Sequence, residues 1–168
     1  MVDAQTIGVL VTAASVTVAA IYYIMTLRSQ QRNMKATLQT REAQLFMMLH
    51  SNTSSEEFSR HLINIDSAKW NSYEDFKAKR INDPEKAVSL QVIVSTWEGI
   101  GVLVRENLVD IKLIALYCAG PTRRLWEKFR PEIEKYRKEI DYSRYMSEME
   151  YVYGRLMDYM ASHPELLT

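Results

Sequence analysis

Residues 7–27 read IGVLVTAASVTVAAIYYIMTL. The stretch contains no charged side chain. A hydrocarbon core of about 30 Å takes about 20 helical residues at 1.5 Å each, and this segment meets that length. A soluble core helix of such length carries a polar face. Here the hydroxyls of Thr12, Ser15 and Thr17 can bond back to helix carbonyls, so they do not make one. The sequence therefore predicts a membrane-spanning helix over 7–27, with an all-α, soluble helical bundle after it.

The flanks set the expected orientation. Residues 1–6, MVDAQT, hold no Lys or Arg, whereas Arg28, Arg32, Lys35 and Arg41 follow the span. A cleaved signal peptide has a basic leader and a shorter apolar core, which is the opposite arrangement. The positive-inside rule places 1–6 outside the cell membrane and the bulk of the chain in the cytoplasm. Tyr22 and Tyr23 suit the headgroup zone at the inner end. One face of the span is small, formed by Gly8, Thr12, Ser15 and Ala19. Such a stripe lets a second helix approach closely, from a partner or another copy of this chain.

About 140 of the 168 residues remain after the span, one domain's worth. The 21 basic and 21 acidic residues cancel. A nucleic-acid binder usually carries a basic surplus, so that class is set aside. The single cysteine, Cys118, lies in the apolar run LIALYCAG and reads as a small buried hydrophobe. Five Gly and four Pro leave few breaks, which favours helices.

Residues 28–50 continue the first helix without Gly or Pro. Positions 24, 27, 31, 34, 38, 41, 45 and 48 alternate by three and four, but Gln31 and Arg41 interrupt an apolar seam. This favours packing against the chain's own domain over a coiled-coil dimer. The cytoplasmic domain spans 51–162, with 163–168 as a tail. In it, Asn52, Thr53 or Ser54 can cap a helix carrying Phe58, Leu62 and Ile65. Ser72 with Asp75 resembles a capping box. Asp83-Pro84 opens a largely apolar central helix through Val104, and Asn107 is its expected left-handed stop. A short helix capped by Asp110 is expected to end at Gly120-Pro121. The next covers 122–140 with a kink or break at Pro131. The last covers 143–162, with Met146, Met149, Val152, Tyr153, Leu156 and Met160 at helical spacing.

The most distinctive soluble stretch is Trp97-Glu98-Gly99-Ile100-Gly101. A dinucleotide fingerprint needs a preceding strand and a third Gly, where this chain has Val104. The glycines read instead as room for a crossing helix, with Glu98 paired to Arg130 or Arg137. If the chain bound a ligand, the expected pocket would lie between helices at Trp97, Glu98, Trp126 and Arg130. His50, His61 and His163 are dispersed, so no metal, cofactor or catalytic group is assigned.

Taken together, the span followed by basic residues, the run Trp97-Glu98-Gly99-Ile100-Gly101-Val102-Leu103-Val104, and Leu125-Trp126-Glu127-Lys128-Phe129 leading to Pro131 and Arg137 resemble a family of small uncharacterised proteins of bacteria and archaea. That resemblance runs from the span to about Tyr151. It implies one N-terminal membrane helix and a helical cytoplasmic domain, and it lends no activity. The expected function is a non-enzymatic interaction or accessory subunit at the membrane. The alternative is a membrane-tethered enzyme or ligand sensor with an inter-helix pocket near Glu98 and Trp126.

Overall fold

The computed structural model describes residues 3–166, all helical apart from turns and short connections. Residues 1–2 of the expected outer segment and 167–168 of the expected tail lie outside the described residues. The helices are α1 (Ala4–Thr53), α2 (Glu56–Ser67), α3 (Tyr73–Asn82), α4 (Pro84–Arg105), α5 (Ile111–Glu139) and α6 (Ser147–Ala161), followed by a 3-10 turn at Pro164–Leu166. They fall into two units, one ending at Arg41 and one starting at Glu42.

The first unit is the N-terminal part of α1. Its apolar window has a mean hydropathy of 2.0 and none of it is buried. By length and composition it is a candidate span. Thr12, Ser15 and Thr17 donate to the carbonyls of Gly8, Val11 and Ala13 at 2.8–2.9 Å, so the hydroxyls turn inward onto the helix. The expected juxtamembrane stretch 28–50 is divided between the two units. Met34 and Leu38 are exposed, and only residues beyond Arg41 belong to the bundle, where Leu49 is buried and Leu45 half-buried.

In the second unit α4 is the centre, packed against α2, α3 and α6, while α5 packs on α6 and α3. Ile93, Trp97, Ile100, Leu125, Trp126, Met149, Val152 and Leu156 form the heart of the core. Burying a large apolar side chain contributes about 1.5–3 kcal/mol. The helix α4 also has the length and hydropathy of a span, but 44% of its apolar window is buried inside the bundle, as a core helix requires.

Several boundaries follow the sequence signals. Asp83 caps α4 by accepting from the Lys86 amide at 3.1 Å, and Pro84 occupies the first turn. Asn107 adopts the left-handed conformation after α4, with φ 54°. Ser72 accepts from the Asp75 amide, but Asp75 reaches back to Asn71 rather than to Ser72. Three expectations fail. Ser55 caps α2, because α1 runs on to Thr53, whose hydroxyl bonds the Leu49 carbonyl. The last helix begins at Ser147, not 143, after a left-handed Met146. The third concerns α5: its break falls at Cys118, φ −139° and ψ 30°, two residues before the expected end at Gly120-Pro121, and no non-helical residue marks Pro131.

That kink has a local cause. The ring of Pro121 would clash with the carbonyl one turn back, at Tyr117, and Pro offers no N–H. Turning Cys118 out of helical geometry relieves this. The fully buried Thr122 then spans the gap: its hydroxyl donates to the Cys118 carbonyl at 2.8 Å and accepts from the Trp97 indole N–H at 2.9 Å. Pro131 is exposed, so water can satisfy the carbonyl it frees. We expect Thr122→Val to lower the unfolding free energy by about 1–3 kcal/mol, since it strands a buried donor and acceptor. Thr122→Ser should lose less. Denaturant titration of the two variants checks this.

Candidate functional site

The residues singled out around Glu98 are packed or paired. Trp97 and Trp126 are each 2% exposed. Trp97 stacks on Phe58 and Trp126 leans on Tyr153, with ring centres about 6 Å apart in both cases. Arg130 lies on the surface, paired with Glu134 at 2.8 Å. Arg137 pairs with Glu150 and donates to the Tyr145 carbonyl. Neither takes Glu98.

Glu98 has a structural partner instead. Its Oε1 accepts the Met149 backbone N–H at 2.8 Å. The residue before α6, Met146, has no capping side chain, so a carboxylate from α4 serves as the helix's cap and also meets the positive end of its dipole. This requires α4 and α6 to be close. A Cβ on Gly101 would overlap the backbone carbonyl of Glu148. Gly101 is therefore the crossing point, while a Cβ on Gly99 would meet no atom within 4 Å. The small stripe of the span, Gly8, Thr12, Ser15 and Ala19, is exposed, and nothing lies within 4 Å of a Cβ at Gly8.

The cavity of interest lies on the other side of α4. It measures about 360 Å³ and is bounded by the C-terminal end of α2, the connection carrying Lys69 and Trp70, α3, the start of α4, and Phe129 of α5. That size is within the range of small-molecule sites. Its walls are aromatic: Trp70 lies 5.2 Å from both Phe76 and Phe129, ring centre to ring centre. Buried Ile65 and Leu90 complete the apolar floor. The indole N–H of Trp70 donates to Glu132 Oε1 at 3.2 Å, which fixes the ring against α5.

Its charged lining is basic, with Lys69, Lys79, Arg80 and Lys86 and no carboxylate, and Ser67 adds a neutral hydroxyl. Two of these cations are held by acids outside the cavity, Lys79 by Asp75 at 2.8 Å and Lys86 by Asp83 at 2.7 Å. Those contacts hold both carboxyls below the usual carboxylate range, chiefly through the lysine hydrogen bonds. Arg80 lies over the Tyr136 ring. Lys128 donates to the Ile65 and Asp66 carbonyls at 2.9 and 2.6 Å, and Lys79 to that of Lys69 at 3.0 Å. The carbonyls at the end of α2 are thus already occupied. Burial lowers the Lys128 ammonium from its ordinary value. Sequence reasoning passed over this site. The signal was present as Lys69-Trp70, Phe76-Lys77 and Lys79-Arg80, with Lys86 following, an interleaving of aromatic and basic residues.

A cluster at the far end of α3 pins this wall. Glu139 of α5 accepts from Tyr73 at 2.6 Å and is ion-paired with Lys77. Lys77 first, and Tyr73 next, hold the Glu139 carboxyl below its ordinary value, while burial and Glu139 push the Tyr73 phenol up. A carboxyl depressed in the folded state contributes stability above its unfolded pKa of about 4.3 and loses it as pH falls through the folded value. We expect the thermal midpoint to fall as pH is lowered below about 4, and Glu139→Gln to flatten part of that fall. Melting curves of both proteins across that range check it. We also expect Gly101→Ala to cost about 1–3 kcal/mol by overpacking and Glu98→Ala about 1 kcal/mol by loss of the cap, read from denaturant midpoints.

Neither curated proteins nor solved structures yield a match to this chain. A sequence-family profile matches residues 9–156 of the chain. The chain belongs to that family, described as a domain of unknown function (DUF4760).

Proposed function

We propose that this protein is a single-pass membrane protein, N-terminus outside, whose cytoplasmic helical bundle works without catalysis as an interaction module or accessory subunit. The observation that carries the reading is the apolar window of α1. It has a mean hydropathy of 2.0, and no part of it is buried by the rest of the chain. Left in water, such a face would be strongly unfavourable at about 25 cal/mol per Å², and a bilayer removes that cost. The basic residues after the window supply the orientation.

Support for a non-catalytic role is chemical. The thiol of Cys118 is buried, and burial raises its pKa, so it is held as an inert neutral group. Glu98 serves as a helix cap. The alternative of an enzyme or sensor working near Glu98 and Trp126 draws no support from that region, where both indoles are packed. Met34 and Leu38 are exposed on α1 and offer contacts to a protein partner or to a second copy of the chain.

The reading is tested by alkaline carbonate extraction, in which the protein should stay with the membrane. Release into the supernatant would refute the span. In intact cells, Asp3→Cys should react with a membrane-impermeant maleimide and Lys112→Cys should not, and the reverse pattern would overturn the orientation. Gentle extraction should recover the protein with a stoichiometric partner or as a homo-oligomer. We expect Leu38→Asp to dissolve that assembly while leaving the thermal midpoint unchanged, because the side chain is 58% exposed.

A further inference from the structure

The cavity between α2, α3, α4 and Phe129 has three properties that together select a ligand chemistry. It has an aromatic and aliphatic floor, made by Trp70, Phe76, Phe129, Ile65 and Leu90. Its charged lining is wholly cationic. And the cations are unequally engaged: Lys79 and Lys86 are paired with Asp75 and Asp83, whereas Lys69 and Arg80 have no carboxylate partner among the described residues. We propose that this cavity binds a small anionic amphiphile, with its apolar body against Trp70, Phe76 and Phe129 and a carboxylate or phosphate held by Lys69 and Arg80.

The surroundings fit an anion. Main-chain carbonyls at the end of α2 would repel one, but Lys128 and Lys79 already occupy those of Ile65, Asp66 and Lys69. The nearby carboxylate, Glu132, does not line the cavity. One oxygen holds the Trp70 indole and the other lies 3.5 Å from Lys135. A cationic ligand would meet only like charge in the lining. A neutral apolar one would leave Lys69 and Arg80 without an acid partner and would not use the charge. Charge-assisted bonds to an oxyanion are roughly twice as strong as neutral ones, so the headgroup is where selectivity should lie. Two sources supply this chemistry, a soluble aromatic or aliphatic acid and an acidic lipid. The site stands whether or not α1 spans a bilayer.

The test uses the full chain in nanodiscs of zwitterionic lipid, with 3-(4-fluorophenyl)propionate as the probe followed by its fluorine NMR signal, and its primary amide as the neutral control. The acid should bind at millimolar concentration or below, and the amide at least ~10-fold more weakly. Lys69→Glu should weaken the acid by ~5-fold or more and leave the amide unchanged. Lys69 is exposed and makes no ion pair, so this variant keeps the fold, as an unchanged melting curve will confirm. Arg80→Gln should act in the same direction. Doping the discs with phosphatidic acid separates the sources: displacement of the probe assigns the ligand to the bilayer, and undisturbed binding assigns it to a soluble acid. Both support the site. It is overturned if the acid does not bind, if the amide binds equally well, or if Lys69→Glu binds the acid unchanged. The acid and amide titrations, repeated on the full chain in detergent, read the site apart from the extraction and labelling experiments that test the span.

Discussion

The Trp97–Thr122–Cys118 relay is the contact on which the bundle depends. Trp97 is the large side chain at the centre of α4, and its one polar atom needs an acceptor inside the core. Thr122 provides it from beside the kink, with its hydroxyl anchored on the Cys118 carbonyl one turn back. The proline, the kink and the indole therefore form one arrangement. Without the kink, the second half of α5 would leave along another direction, and Trp126, Phe129 and Ile133 would not reach the core they now fill.

Much of the fold was legible in local chemistry. Asp83-Pro84, Asn107 and Asp110 each act on their own backbone or the next turn, and each works as the residue type implies. What could not be read were decisions made by distant residues. Pro121 looks like a terminator until a buried threonine and a tryptophan from another helix stabilise the kinked form. Glu98 looks like a partner for arginine, because nothing in the sequence says that α6 will lack its own cap. Helical spacing alone extends the last helix back to 143, whereas the structure starts it after a left-handed Met146.

The site was less legible than the fold. Periodicity finds which residues are buried, and it drew attention to Trp97 and Trp126, which are indeed core. A binding cavity is by contrast formed where packing is incomplete, often at connections. Trp70 lies in such a connection, between a helix that ends at Ser67 and one that begins at Tyr73. The interleaved lysines and aromatics of 69–86 were the available cue, and the neutral overall charge masked it. The family profile, over residues 9–156, includes this segment but carries no activity to it.

The two sides of α4 differ in kind. Toward α6, a carbonyl against the bare Cα of Gly101 and a carboxylate on the Met149 amide fix phase and spacing at once. Sliding by one turn would break both, so this pair behaves as a single stiff body. Toward α3, no side chain of that helix is fully buried, and its attachment is largely by ion pairs and ring contacts near the surface. Local opening is cheapest where buried apolar contact is sparse. The bundle is thus a rigid block with one compliant wall, and the compliant wall is the one that bounds the basic, aromatic cavity.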